Sequence, residues 1–236
     1  MNSKTAPATS PNPQPSQGSS SAQLELYSQA PLPTEWGLFE TRVYRDAQGQ
    51  EHMAISQGDL SDEAGPALVR VHSACFTGEA LSSLKCDCKA QLERALQEIN
   101  ERGRGVVIYL FQEGRGIGLG NKIKAYALQA QGFDTVDANT HLGFEEDARR
   151  YDCAVQMLTH LGIRRVQLLT NNPLKVEALQ KAGLNVVERV AIEVGRNEVN
   201  DAYLNTKRDR MRHMLNAQEA DTTKQAQGKQ APAQES

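Results

Sequence analysis

The chain has 236 residues, of which 39% are apolar and 23% charged, with a formal net charge of -3 and four cysteines. That is ordinary for a soluble globular protein able to bury a sizeable core. It excludes a general nucleic-acid or anionic-membrane binder, which needs accumulated Lys and Arg, and a disulfide-built fold, while leaving local basic patches open.

Residues 1–23 are rich in Pro, Ser, Gln and Asn without apolar periodicity, as is the stretch 218–236; both are expected to be disordered tails around a single domain at 24–217. No apolar run approaches the ~20 residues that span a bilayer, and the N-terminus lacks the apolar stretch of a signal peptide, so a cytoplasmic protein with no membrane contact is expected. Residues 32–58 alternate apolar with polar around a turn at 47–49, the pattern of an antiparallel hairpin. Residues 67–73 (ALVRVHS) make a further strand, with Val69, Val71 and Ser73 on one face and Leu68, Arg70 and His72 on the other. Leu92, Ala95, Leu96 and Ile99 recur at helical spacing, which predicts a helix over 89–102 ended by Gly103, and 105–111 (GVVIYLF) is a buried strand.

Ile123, Tyr126, Ala127 and Ala130 define a second amphipathic helix stopping at Gly132, on which the period alone makes Tyr126 a core residue. Tyr151, Ala154 and Leu158 give a third over 145–160, closed by Gly162. A strand at 165–170, a helix opening at Asn172-Pro173, a strand at 184–194 and a final helix over 201–215 follow; the KRDRMR run in the last reads as a solvated face. The fold class is therefore α/β, a mixed sheet with an antiparallel N-terminal part and a largely parallel, helix-flanked C-terminal part.

Chemistry concentrates in residues 70–88, RVHSACFTGEALSSLKCDC, where Cys75, Cys86 and Cys88 stand in the pattern C-x10-C-x-C. Three thiolates at this spacing read as a metal site. Three protein ligands leave a fourth position for water in a catalytic site, whereas Cys153, His72 or His141 would close a structural one; spacing leaves both open. His72 on its own fits a hydrogen-bonded structural histidine as well as a ligand. The second stretch is QEGRGIGLGN, residues 112–121, between a strand and a helix. Its glycines admit close backbone approach, the helix N-terminus favours an anion, and Arg115 offers a planar fork to phosphate. It is neither a Walker A loop nor the dinucleotide fingerprint, and a plain tight connection explains it equally well. The strand-to-helix turn at 170–175 is another place to meet an anion.

Several long stretches in one order, RVHSACFTGEALSSLKCDC, QEGRGIGLGNKIKAYALQAQG, DTVDAN with LGFEEDAR, and LLTNNPLKVEAL, resemble the GTP cyclohydrolase II family of riboflavin biosynthesis over about 32–215. The resemblance implies a zinc-dependent hydrolase for GTP: water activated by zinc attacks C8 of guanine, the imidazole ring opens, formate leaves, and pyrophosphate is cleaved from the 5′ end. The product implied is 2,5-diamino-6-ribosylamino-4(3H)-pyrimidinone 5′-phosphate. It also implies Cys75, Cys86 and Cys88 as ligands of one zinc per subunit, Mg2+ on the triphosphate, and a homodimer. Arg70, Val71, His72, Ser73, Ala74, Gln91, Glu113, Gly114, Arg115, Thr135, Thr170 and Lys175 match GTP-contacting positions. Asp147 matches a proton acceptor, Arg149 a residue attacking the α-phosphorus, and Tyr126 an active-site position. A guanidinium is a poor nucleophile, so an electrostatic clamp is the other reading of Arg149. The chain departs from the family pattern at Ala74 (Glu expected), Lys89 (often Gly), Phe111 (commonly basic) and Arg212 (commonly Gly). Two alternatives stay open: a paralogue that stops at the ring-opened formamide, and a non-catalytic nucleotide sensor with structural zinc.

Overall fold

The computed structural model of the chain describes residues 24–145 and 147–215. The two expected tails fall outside the described residues. Seven strands form one sheet in the order β1-β2-β3-β5-β4-β6-β7, where β1 is Glu25–Thr34, β2 Gly37–Arg45, β3 Glu51–Gln57, β4 Ala67–Ser73, β5 Gly105–Leu110, β6 Arg165–Leu169 and β7 Asn185–Val190. The pairs β1-β2, β2-β3 and β3-β5 are antiparallel, and β5-β4, β4-β6 and β6-β7 parallel, so the mixed sheet has the two halves expected. The helices are α1 Phe76–Glu79, α2 Cys88–Arg102, α3 Leu119–Gln129, α4 Thr135–His141, α5 Asp152–His160, α6 Pro173–Lys181 and α7 Asp201–Asp209. None of the described helices is long and apolar enough to cross a membrane.

The period-2 rule places two cores on the two faces of the sheet. Val69, Val71, Val106, Ile108 and Leu168 pack with Ala154, Met157 and Leu158 of α5 and Leu179 of α6. Leu68, Val107 and Leu169 pack on the other face with Ala95, Leu96 and Ile99 of α2. Because β4 is central, its second face is buried too, and Arg70 and His72 extend Leu68's face toward the strand's carboxyl end. Open α/β sheets bind ligands outside the carboxyl ends of their parallel strands, and here β4, β5 and β6 all deliver their next residues to that edge.

Four differences from the sequence reading matter for the site. The helix expected over 145–160 begins only at Asp152, because the Asp147 carboxylate accepts the Arg149 backbone N–H (3.1 Å) and so offers the chain a turn in place of a helix. The helix expected over 201–215 ends at Asp209; Arg212 takes φ 56°, in the left-handed region, and turns the chain back toward the sheet. Helix α4 was missed although its cap is written in the sequence: Asp134 accepts the N–H groups of Val136 (2.7 Å) and Asp137 (2.9 Å). Edge strand β1 begins before the expected hairpin, at Glu25, and is exposed along nearly its whole length.

Candidate functional site

Cys75 closes the end of β4 and precedes α1, while Cys86 and Cys88 flank Asp87 at the start of α2. Their sulfurs lie within 4.8 Å of one another, with Cys75 Sγ 3.5 Å from Cys86 Sγ. Two thiolates bound tetrahedrally at ~2.3 Å to one zinc stand ~3.8 Å apart, so the donor set and its spacing fit that ion. Among the described residues no fourth Cys, His, Asp or Glu joins the group. Cys153 sits instead with Asp46 and His52, His72 Nε2 is 2.8 Å from Glu79 Oε1, and exposed His141 lies against Phe133. None of these three therefore closes the site. Hydrogen bonding to Cys86 and Cys88, helped by the Lys122 ammonium 3.1 Å away, drives the Cys75 thiol toward thiolate, while the same sharing of protons pushes the Cys86 and Cys88 thiols up.

Gly78 was not singled out in the sequence, yet it sets the room for this cluster. A Cβ there would lie 2.8 Å from Cys86 Sγ and 3.1 Å from Cys75 Sγ, closer than side chains pack. Gly78→Ala is expected to lower the affinity of the three cysteines for a metal ion ~10–100-fold, the usual effect of disturbing a ligand's support, with the fold retained. Competition against a chelator measures it; unchanged affinity would show that the loop accommodates the methyl group freely.

The connection after β5 is a chain of left-handed residues, Gly114, Arg115, Gly116 and Gly118. Gly116 is required by contact as well as by φ, since a Cβ would sit 3.0 Å from the Ala148 carbonyl oxygen. The loop therefore packs on the 147–149 turn. Glu113 braces it to the cysteine loop: its carboxylate accepts the Phe76 N–H (2.6 Å), the Gly114 N–H (2.8 Å) and the Lys122 ammonium (2.8 Å). Arg115 carries a buried guanidinium nitrogen, Nη1, with no partner among the described residues.

Charge converges from the other walls. Arg149 grips Asp147 through Nε (2.7 Å) and Nη2; burial would lower its pKa, and the carboxylate's hydrogen bonds raise it above the ordinary value. Lys175, at the start of α6, is buried and donates to the Val71 carbonyl (2.7 Å); burial, with Arg70 and Arg149 nearby, pushes its pKa well down. Asn172 caps α6 by accepting the Leu174 N–H (3.0 Å), as its place before Pro173 predicts. A buried network runs from Lys207 to Asp87 (2.9 Å), from Gln91 to Asp87 (2.6 Å), and from Arg70 to Gln91 (2.5 Å) and the Leu169 carbonyl (2.9 Å).

These elements enclose one cleft of about 1150 Å3, part of it open solvent. Its lining includes Arg70, His72, Ser73, Ala74, Gln91, Glu113, Gly114, Arg115, Thr135, Thr170 and Lys175, the three cysteines, Tyr126 and Arg149. Two residues singled out by sequence do not line it: Val71 is core and offers only its carbonyl to Lys175, and Asp147 stands behind Arg149. Tyr126 lines the cleft and does not pack in a core; Ile123, Ala127 and Ala130, expected to share its buried face, are exposed, and Ala125 is the buried residue of α3. The sequence reading missed Lys85, Lys122, Asn139, Tyr203, Lys207, Met211 and His213 as lining residues. Lys207 and Met211 are buried, so the run taken for a solvated face is partly cleft wall. Of the departures, Ala74 lines the cleft, exposed Phe111 packs edge-on against Tyr109, and Lys89 bonds Ser82 (2.9 Å).

Fold and site together define an α/β protein with a three-cysteine cluster of metal-ligand spacing in a cleft lined by basic side chains at the strand ends. The family model for GTP cyclohydrolase II matches residues 25–191. A GTP cyclohydrolase-2 of Acinetobacter baumannii (strain AYE) is 55% identical over 192 residues, covering 81% of this chain and 96% of that one. One from Shewanella amazonensis is 53% identical over 193 residues (81% and 94%), and one from Neisseria gonorrhoeae 52% over 192 (81% and 97%). The chain belongs to the GTP cyclohydrolase II family, hydrolases of riboflavin biosynthesis.

Proposed function

We propose that this protein opens the imidazole ring of GTP with release of formate and pyrophosphate, giving 2,5-diamino-6-ribosylamino-4(3H)-pyrimidinone 5′-phosphate. The observation that carries this reading is that one cleft is lined both by the three cysteine sulfurs and by seven basic side chains, Arg70, Lys85, Arg115, Lys122, Arg149, Lys175 and Lys207, against one carboxylate, Glu113. A purine triphosphate matches both features at once: an electrophilic ring carbon for the metal end and a polyanion for the cations. Zinc held by Cys75, Cys86 and Cys88 would supply Lewis acidity and lower the pKa of water. Mg2+ would arrive with the triphosphate as part of the substrate. A homodimeric, cytoplasmic enzyme belongs to the same reading and is supported by family membership alone.

The chain's own groups then divide the work. His72, fixed by Glu79, keeps a buried Nδ1 without a partner among the described residues, an acceptor for a base N–H. Arg70 and Gln91, ordered by Asp87 and Lys207, hold the nucleotide in register. Arg149 acts as a clamp on the α-phosphate: its two-pronged pair with Asp147 makes the guanidinium more basic, which suits charge stabilisation and opposes nucleophilic attack. Water is then the attacking group at the α-phosphorus, and pyrophosphate leaves toward Lys175 and Arg115. Formate assayed from GTP, with ATP as comparison, tests the reading; equal turnover of both would overturn it.

Tyr126 stands beside the thiolates, with the Lys85 and Lys122 ammonium groups 5.2 Å and 5.8 Å from its ring centre and burial raising its pKa, so it is a protonated donor at neutral pH. A phenol so placed orients the second water, which attacks the formamide, and stabilises the developing oxyanion, an effect of ~10²–10³ for one donor. Tyr126→Phe is expected to slow formate release by about that factor, leave pyrophosphate release within a few-fold, and accumulate the formamide. Mass spectrometry decides: fully deformylated product at the parent rate would leave Tyr126 a packing residue only.

A further inference from the structure

The last described segment, 201–215, lies beyond the residues the family model matches and still builds one side of the cleft. It is strapped down at several points. Lys207 of α7 bonds Asp87 between two of the cysteines, Arg210 reaches Asp134 and Asp137 (3.1 Å) at the start of α4, and the Met214 N–H donates to the Asn171 carbonyl (2.8 Å). Between these anchors Arg212 adopts its left-handed conformation, and the His213 N–H returns to the Lys207 carbonyl (3.0 Å). The reversal delivers the His213 side chain to the cleft lining.

Four cations act on that ring from four different parts of the fold: Lys207 of α7, Arg149 of the 147–150 turn, Arg115 of the glycine loop and Lys175 of α6. Its nitrogens make no hydrogen bond to a described residue, although the imidazole is half-buried. We propose that His213 is a further binding residue of the phosphate site, donating a ring N–H to the triphosphate from the wall that 201–215 builds; this rests on the reading of the cleft as a GTP site. Burial and the four cations hold its pKa at about 3, so the ring is neutral at physiological pH. A neutral donor adds a contact to a phosphate oxygen without adding a further like charge to a cleft already lined by basic side chains. The left-handed φ at Arg212 makes the reversal that turns His213 inward.

Calorimetric titration of the zinc-loaded full chain with inorganic tripolyphosphate and with guanosine tests this. His213→Ala is expected to weaken tripolyphosphate ~10-fold or more, the scale of one hydrogen bond to a charged group, with guanosine unchanged. His213→Gln, which retains an N–H donor, is expected to restore most of the loss. Equal tripolyphosphate affinity in parent and His213→Ala overturns the proposal, as does parallel loss of both ligands, which marks a general collapse of the wall. A parent chain that binds neither ligand nor GTP overturns the GTP reading itself, and His213 falls with it.

Discussion

Cys86→Ser is expected to lose most bound zinc and to open the guanine ring roughly 10³-fold more slowly or worse, since a few kcal/mol of charge stabilisation leave with the metal. The physical cause is ligand chemistry: a serine hydroxyl stays protonated at neutral pH and is a poor substitute for a thiolate. Three sulfurs within 4.8 Å of one another leave no spare Cys, His, Asp or Glu among the described residues to take its place. Cys86 is partly exposed and outside both hydrophobic cores, so its replacement spares the fold. Pyrophosphate release is expected to persist in part, because Arg149 is held by Asp147, Lys175 by the Val71 carbonyl, and the glycine loop by Glu113 through Phe76 and Lys122, not by the Cys86 thiol. Metal analysis beside a formate assay checks this, and full ring opening by zinc-free Cys86→Ser protein would contradict the thiolate site.

Arg149→Ala is expected to reduce pyrophosphate release by ~10³-fold with zinc content unchanged, the loss seen when a preorganised charge is taken from a developing anion. The substitution also strips Asp147 of its partner in a mostly buried place, where an orphaned carboxylate is destabilising. The double variant Asp147→Asn/Arg149→Ala separates the two effects: it is expected to recover thermal stability and to remain inactive toward the phosphate. Arg149→Lys keeps the charge and loses the fork, so partial activity is expected of a clamp. Pyrophosphate release at the parent rate in Arg149→Ala would show that Arg149 is neither clamp nor nucleophile.

Much of this architecture is legible in the residues, for identifiable reasons. The cysteine spacing, the strand 67–73, the Gly103 stop and the Asn172-Pro173 cap each follow from local chemistry that tertiary contacts have no cause to override. What was not legible depends on distant partners. Lys207 looks like one more surface charge until Asp87, 120 residues earlier, is placed against it. Helical periodicity groups Tyr126 with Ile123, Ala127 and Ala130, but the period tells only which residues share a face, not whether that face meets a core, a cleft or water. The 147–150 turn reads as helix because it holds no Gly or Pro to stop one before Tyr151, Ala154 and Leu158 take up the period, and the carboxylate that captures the Arg149 N–H leaves no trace in the spacing. Arg212 reads only as a departure from the family's glycine, and an arginine in the sequence gives no reason to expect the φ of 56° that the backbone takes there.

The most direct test of the proposed activity is the product mixture formed by the zinc-loaded chain from GTP and Mg2+. Formate, pyrophosphate and 2,5-diamino-6-ribosylamino-4(3H)-pyrimidinone 5′-phosphate are expected in equal amounts, all three by mass spectrometry or coupled assay. Accumulation of the formamide without formate would make the protein a paralogue that stops at ring opening, and GTP recovered intact from zinc-loaded protein that binds it would contradict the hydrolase reading.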